Sequence, residues 1–294
     1  MQVSEFHLTA YSTALFSTWI FIEELGLLFD AGDGLSAGLL QKARKVKYVF
    51  VSHADRDHLA GLLQFQQLNG RADGPLIHYP ADSGSFPALE AFSQRFDPHI
   101  RGEAWRGIRS GDALPIRDRI TVDALRNDHI TAPVEWAKSL SYRVWHKKWK
   151  LRREYLDLPG SEIKDLIAQR GRAAVSEEVA TLMVGYSGDT PVEDYGRWDG
   201  AKLLIHEATF VRKEDQDRAR NNRHSSLEEV LRMAAEIKID QLVLSHFSSR
   251  YSAEEIDTTI RRYGREFRVT CPVYRLLPGQ IHRDVLREEP VWSL

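Results

Sequence analysis

The sequence predicts an α/β fold, organised as a single domain (residues 1–294) of two similar layers, and three observations carry that reading. Short apolar runs rich in β-branched and aromatic residues alternate with segments of helical period. Histidine and aspartate recur directly after the ends of those runs in both halves, as a cleft shared by two like layers requires. No low-complexity tract or Pro/Ser linker divides the 294 residues, and a composition of 43% hydrophobic and 28% charged residues suffices for one sizeable core.

In chain order, Phe6 to Tyr11, Thr18 to Glu23 and Leu27 to Asp30 are expected as strands, the last running into the turn Asp30-Ala31-Gly32-Asp33-Gly34. A helix over Leu35 to Arg44 follows, then a buried strand over Lys47 to Val51. That strand delivers Ser52-His53-Ala54-Asp55-Arg56-Asp57-His58-Leu59-Ala60-Gly61, which puts four potential metal ligands into six positions. Imidazole and carboxylate groups gathered at a strand end lose hydration energy unless a cation or a partner neutralises them, so the stretch predicts a metal site. Leu59, Leu62 and Leu63 continue at helical spacing to about Gly70.

Pro75 to Tyr79 is the next expected strand and Phe86 to Phe96 the next helix, followed by an irregular, charged and glycine-containing stretch to about Asp118. Strands over Ile120 to Leu125 and Leu140 to Trp145 bracket Asn127-Asp128-His129. Beyond them Lys147, Lys148, Lys150, Arg152 and Arg153 are interleaved with Trp149 and Tyr155. Such a run reads either as a solvated helical or loop face or as an arm that contacts phosphates and stacks on bases. Leu158-Pro159-Gly160-Ser161 forms a turn and a helix runs from about Glu162 to Gln169, so the basic arm spans about residues 146–172.

The second half repeats the logic. Thr181 to Gly185 leads into Tyr186-Ser187-Gly188-Asp189-Thr190, Lys202 to Ile205 into His206-Glu207-Ala208-Thr209-Phe210, and Gln241 to Ser245 into His246-Phe247-Ser248-Ser249-Arg250-Tyr251. Leu227, Val230, Leu231 and Ala234 share one helix face, with His224 just upstream and Ser225 with Glu228 as the expected capping box. Ser252 and Glu255 are placed to cap the last helix, whose apolar face is Ile256, Ile260, Tyr263 and Phe267. Pro272 to Leu277 closes the sheet.

The net charge of -2 argues against a protein that coats nucleic acid by charge alone, and Cys271 as the only cysteine excludes a thiolate zinc site. The N-terminal segment has no basic region followed by an apolar core and no run is long enough to span a membrane, so a cytoplasmic protein is expected. His53, Asp55, Asp57, His58, His129, Asp189 and His246 make seven nitrogen and oxygen ligands, too many for one tetrahedral cation with an open position. They suit two cations about 3.5–4 Å apart, with His53, Asp55 and His129 on one, Asp57, His58 and His246 on the other, and Asp189 between. Such a pair performs hydrolysis through a bridging hydroxide, and the ligand types suit zinc, manganese or iron. Taken singly, His129 or His246 would read as a hydrogen-bonded histidine; the cluster between His53 and His58 lends them their meaning. His7, His78, His99, His146 and His282 are read as ordinary hydrogen-bonded or exposed histidines.

The ordered set SHADRDHLAG, RNDHITAPVEWAKSLSYRV, GYSGDT, LLIHEATF, NNRHSS and LVLSHFSSRY resembles the metallo-β-lactamase superfamily, and within it the ribonuclease Z group of tRNA 3′-processing endonucleases, from about Phe6 to Leu277. The resemblance implies an αββα sandwich of two mixed β-sheets flanked by helices, with a dimetal site at one edge of the sheets. It implies His53, Asp57, His58, His129, Asp189 and His246 as ligands and Asp57 as general base. Glu207 and His224 would orient and supply the proton for a departing 3′ oxygen. It further implies two divalent ions, most simply zinc, precursor tRNA as substrate gripped through Lys147, Lys148, Lys150, Arg152 and Arg153, and a homodimer as the common assembly.

The chain departs from the family pattern at particular places. Asp55 stands where a second histidine is usual, Ala10-Tyr11-Ser12-Thr13 replaces a glycine-rich opening, and the arm is short and lacks a Pro-Pro-Gly-Pro turn. Two alternatives therefore stand beside cleavage of tRNA 3′ trailers: a hydrolase of the same fold acting on a small phosphodiester, ester or thioester, and a non-catalytic RNA- or partner-binding scaffold with a degenerate metal site. A di-iron redox reading, suggested by the acidic residues alternating through His53, Asp55 and Asp57, lacks an accompanying flavin-binding domain.

Overall fold

In the computed structural model, which describes residues 3–71, 74–96 and 104–294, the chain forms two seven-stranded mixed sheets packed face to face. Strands β1 (Leu8–Thr13), β2 (Ser17–Ile22), β3 (Leu27–Phe29), β4 (Tyr48–Phe50), β5 (Leu76–Pro80) and β6 (Trp105–Ile108) build the first sheet. Strands β7 (Ala113–Arg117), β8 (Ile120–Arg126), β9 (Leu140–Leu151), β10 (Ser176–Tyr186), β11 (Leu203–Glu207), β12 (Leu242–Ser245) and β13 (Val273–Arg275) build the second. A last strand, β14 (Ile281–Arg283), returns to pair with β1.

The sheets repeat one plan. Each opens with antiparallel neighbours and ends with four strands in parallel, β3-β4-β5-β6 and β10-β11-β12-β13. Parallel strands need crossovers, and these supply the outer layers. On the first sheet lie α1 (Leu35–Leu39), α2 (Arg56–Leu59), α3 (Leu62–Asn69) and α4 (Ser85–Ser93). After β9 come α5 (Gly160–Arg170) and α6 (Arg172–Val175), after β11 come α7 (Gln216–Asn221) and α8 (Leu227–Glu236), and after β12 comes α9 (Ala253–Phe267).

Three apolar interfaces result, as an αββα sandwich demands. Between the sheets, Phe29 stacks on Tyr186 with ring centres 4.6 Å apart, and Phe50 meets Tyr142 edge-on at 5.2 Å. Trp19, Val49 and Ile77 pack outward against Leu35, Phe65 and Phe86, while Leu204 and Leu244 pack against Val230, Leu231, Ile256 and Ile260. Burial on both faces explains why Trp19 to Ile22 of β2 read as an unbroken apolar run rather than an alternating one. Among the described residues no helix is long and apolar enough to cross a membrane.

Several local expectations need correction. The stretch expected to be irregular up to Asp118 contains β6 and β7, whose arginine, glycine and proline residues mask their alternation. The helix after Gly34 ends at Leu39, because Leu40 adopts φ 50°, and continues only as a 3-10 segment to Lys45. The helix after the metal loop is divided into α2 and α3. The α8 capping box is Ser226 with Glu229, one residue later than Ser225 with Glu228, and the Ser225 hydroxyl instead donates to Thr190 O at 2.6 Å. Ser252 caps α9 as expected, accepting from Glu255 N at 3.2 Å. His99 lies outside the described residues.

Two glycines hold the metal loop against the first sheet by close backbone approach. Gly61 N–H donates to Ala31 O and Ala31 N–H to His58 O, both at 2.8 Å, and a Cβ on Gly61 would lie 2.2 Å from Gly32 O. The opposing atom is backbone, so relief requires the loop to move. Gly61→Ala is expected to destabilise the fold by about 3 kcal/mol and to weaken metal binding. Denaturant unfolding with an unchanged m-value, together with metal titration, checks both effects.

Candidate metal centre

The strand ends of both sheets converge on one edge. β4 runs into His53, β8 into His129, β10 into Asp189, β11 into Glu207 and β12 into His246. An antiparallel bridge between His53 and Ser139 ties the metal loop of the first sheet to the start of β9 in the second. Donor atoms of His53, Asp55 and His129 lie within 4.8 Å of one another, as do those of Asp57, His58 and His246, and those of His53, His58 and Asp189.

Asp189 Oδ2 stands 3.7 Å from His53 Nε2, 3.2 Å from His58 Nε2 and 3.3 Å from His246 Nε2, within reach of donors from both groups. Asp55 Oδ2 is 3.5 Å from His53 Nε2 and 3.8 Å from His129 Nε2. Asp57 Oδ2 is 3.5 Å from His58 Nε2 and 3.4 Å from His246 Nε2. Ligands about 2.0–2.1 Å from a tetrahedral ion stand about 3.3 Å apart, so these spacings fit the coordination edges of two ions.

The outer nitrogens of the four histidines show why a cation belongs there. The Ser52 hydroxyl donates to Asp30 at 2.9 Å, so His53 Nδ1–H donates to Ser52 Oγ at 2.9 Å. The Thr209 hydroxyl donates to Glu207 at 2.6 Å, so His246 Nδ1–H donates to Thr209 Oγ1 at 2.9 Å. His58 Nδ1–H donates to Asp30 Oδ2 at 2.8 Å and His129 Nδ1–H to the Arg223 carbonyl at 3.1 Å. Each Nε2 lone pair is thereby turned inward, as in histidines that bind metal. His53 Nε2 is fully buried with no hydrogen-bond partner, and the Nε2 atoms of His58 and His246 face each other at 3.3 Å. Lone pairs so arranged repel unless a cation lies among them, and the residues therefore fit divalent metal.

The electrostatics agree. Burial holds the His53 imidazole below its ordinary range and thus neutral, the form that ligates. Burial also opposes charge on His58, but the carboxylates of Asp189 and Asp30 beside it outweigh that and raise its pKa well above the ordinary value. Asp189 is buried, which disfavours its ionised form, yet His246 and His58 keep its carboxyl well below the usual carboxylate range. The neighbouring imidazoles of His129 and His53 likewise hold the Asp55 carboxyl below the usual carboxylate range.

Beside the ligands sits a second device. Glu207 is 1% exposed and accepts from Thr190 N at 2.8 Å, Thr209 N at 3.1 Å and His224 Nδ1 at 2.9 Å. His224 lies with its ring centre 4.7 Å from His129 and 5.5 Å from His246. Burial lowers the His224 pKa, but Glu207 overrides it and raises the value to about 9.

Of the residues singled out from the sequence, the seven donors, Glu207 and His224 all meet at this edge, whereas the basic residues do not. Lys147, Lys148 and Lys150 lie on β9, not on a helix or loop, in a two-stranded ribbon with β10 that extends the arm past residue 172 to Ser176 and beyond. At about 3.3 Å per residue along β9 the ribbon stands about 25 Å from His53. Lys147 pairs with Glu178 at 3.4 Å and Arg152 donates to Ala173 O at 3.3 Å. His7 pairs with Glu24 at 2.5 Å, His78 stacks on Phe50 at 4.4 Å, and His282 Nε2 accepts from Leu277 N at 2.8 Å, all apart from the centre. Sequence reasoning missed Asp30, which also accepts from Ser52 N at 2.6 Å and from the Tyr186 hydroxyl. The signal was an acid directly ending the apolar strand Leu27-Leu28-Phe29.

The family profile described as Beta-lactamase superfamily domain matches residues 27–150. Ribonuclease Z of Ignicoccus hospitalis is 31% identical over 277 residues, covering 85% of this chain and 85% of that protein. The chain belongs to the ribonuclease Z family. tRNase Z TRZ1 of Arabidopsis thaliana is 27% identical over 269 residues, 88% of this chain and 91% of the relative. The crystal structure of human tRNase Z, short form, superposes with a TM-score of 0.56 at 19% identity, covering 83% of this chain and 93% of that one. As a ribonuclease Z family member the protein is a metal-dependent hydrolase of the metallo-β-lactamase fold. The scaffold alternative accordingly gives way to an enzyme.

Proposed function

We propose that the protein is a phosphodiesterase that removes 3′ trailers from precursor tRNA, in a single metallo-β-lactamase-like domain that acts as a homodimer in the cytoplasm. The observation that carries the reading is the Glu207–His224 pair, an imidazole held at 2.9 Å by a buried carboxylate beside a histidine–aspartate cluster. Two divalent ions, zinc being the choice an imidazole-rich set favours, with manganese or iron also suited, would be held by His53, Asp55, His129, Asp57, His58, His246 and Asp189 and would supply water activation and charge neutralisation at the phosphate. Asp57 accepts the proton of the attacking water. Glu207 orients His224, and His224 delivers a proton to the departing ribose 3′ oxygen, a poor leaving group without it. Lys147, Lys148, Lys150, Arg152 and Arg153 hold RNA phosphates away from the reacting bond.

A second reading, hydrolysis of a small phosphodiester, ester or thioester, draws on the distance between the arm and the metal centre. Alanine at the five arm cations separates the two. In the RNA reading, cleavage of precursor tRNA falls by at least about tenfold and loses part of its salt dependence, while a small phosphodiester is turned over at the parent rate. An unmodified protein that cleaves no tRNA precursor would sink the reading.

A further inference from the structure

The turn between β1 and β2 carries a strained apolar tip that the fold does not require. Phe16 N–H donates to Thr13 O at 3.0 Å, closing a four-residue turn, and its third residue, Leu15, has φ 70°. That is the left-handed conformation which glycine or asparagine normally occupies at this position. Packing does not compensate the leucine, because Leu15 is 87% exposed and Phe16 62% exposed. Strain of this kind persists where surrounding contacts impose it, and here they lead to the metal centre. Leu15 N–H donates to Asp57 Oδ2 at 3.0 Å, and Ala14 N–H donates to the carbonyl of Phe247, next to His246, at 3.2 Å.

The tip is therefore fastened through its backbone to a carboxylate of the centre and to the residue after His246, which puts two exposed apolar side chains next to the cluster. The inference rests on the reading of that centre as an RNA phosphodiesterase. Next to a scissile phosphate an RNA chain offers a polar ribose and a base, and the base face is its one large apolar surface. Base faces stack on aromatic side chains with little regard for sequence. We propose that Leu15 and Phe16 form a subsite for the base of a nucleotide adjoining the scissile phosphate, so that the enzyme prefers a base-bearing strand over a bare phosphodiester. A second exposed pair, Val134 and Trp136, precedes Ser139 on a loop pinned by Arg126 to Pro133 O at 2.7 Å and by Asp82 to Ala137 N at 2.7 Å. It is the competing location for the same role.

The test uses the full chain with precursor tRNA and with the same RNA made abasic at each nucleotide flanking the cleavage point. Phe16→Ala removes the aromatic face, and Leu15→Gly removes the side chain while keeping the positive φ and the N–H that binds Asp57. The parent is expected to lose about tenfold or more in kcat/KM on one of the abasic RNAs. The double variant should show that loss on intact RNA and no further loss on the abasic one. Equal cleavage of abasic and intact RNA by the parent overturns the proposal, as does an equal drop on both substrates in the variant, or a loss reproduced by Trp136→Ala but not by Phe16→Ala. A parent that cleaves no RNA removes the phosphodiesterase reading and the subsite with it, whereas RNA cleavage without any base effect removes only the subsite.

Discussion

Replacing His224 by alanine is expected to slow cleavage of a ribonucleotide phosphodiester by about 10²–10⁴-fold while leaving an aryl phosphodiester within about tenfold of the parent. An alkoxide needs a proton as it departs; a stabilised phenolate does not. The distinction follows from where the proton is held. Burial would strip it from His224, but Glu207 raises the pKa to about 9, so the ring is charged at neutral pH. Glu207→Gln removes the charge that keeps it there, and the alkaline limb of the rate profile on RNA should move to lower pH. The same linkage predicts a stability effect in the metal-free protein. A folded-state value raised above the unfolded value of about 6.5 stabilises fully below that pH, and the contribution is lost as pH rises through about 9. Rate profiles on both substrates check the assignment, and equal losses on the two would contradict it.

Asp189→Ala should remove a carboxylate that reaches donors of both groups, and if that carboxylate bridges the ions as proposed, bound metal falls from about two ions per chain and hydrolysis drops on the order of 10³-fold or more. Its Oδ2 approaches the Nε2 atoms of His53, His58 and His246 at 3.2–3.7 Å, whereas Asp57 Oδ2 approaches only those of His58 and His246 and Asp55 Oδ2 those of His53 and His129. Metal bound to the folded state stabilises it by mass action, so added zinc should raise the Tm of the parent and leave the variant little changed. Asp55→His is the informative partner. Asp55 is more than half exposed yet within 3.5 Å of His53 Nε2, and exchanging its hard oxygen for nitrogen should shift preference toward zinc. Metal analysis of the purified proteins, with thermal unfolding in the presence and absence of a chelator, reads out both variants.

Much of the architecture was legible because burial imposes periodicity. The helix face of Leu227, Val230, Leu231 and Ala234 is buried in α8 as expected, and every predicted strand that ends in a donor is a strand. The misses have physical causes. Charge hid the length of β9, since Lys148, Trp149 and Lys150 lie on a ribbon without a layer packed over it and carry no apolar alternation. β6 and β7 are edge strands of the two sheets, where one-sided pairing tolerates glycine, proline and arginine. The capping box moved by one residue because Ser225 and Ser226 are both competent by type, and only the Ser225 bond to Thr190 decides between them.

The sequence by itself determined the donor types, their order along the chain, the strand ends that present them and the family to which they point. Tertiary structure alone decided that donors as far apart as His53 and His246 meet within one cluster, that Asp30, Ser52, Thr209 and Arg223 turn every Nε2 inward, and that the basic ribbon stands apart from the centre. The reason is that ligand identity is a local property of a residue, whereas ligand geometry is set by the packing of two sheets and by hydrogen bonds between residues distant in the chain. No local pattern encodes these.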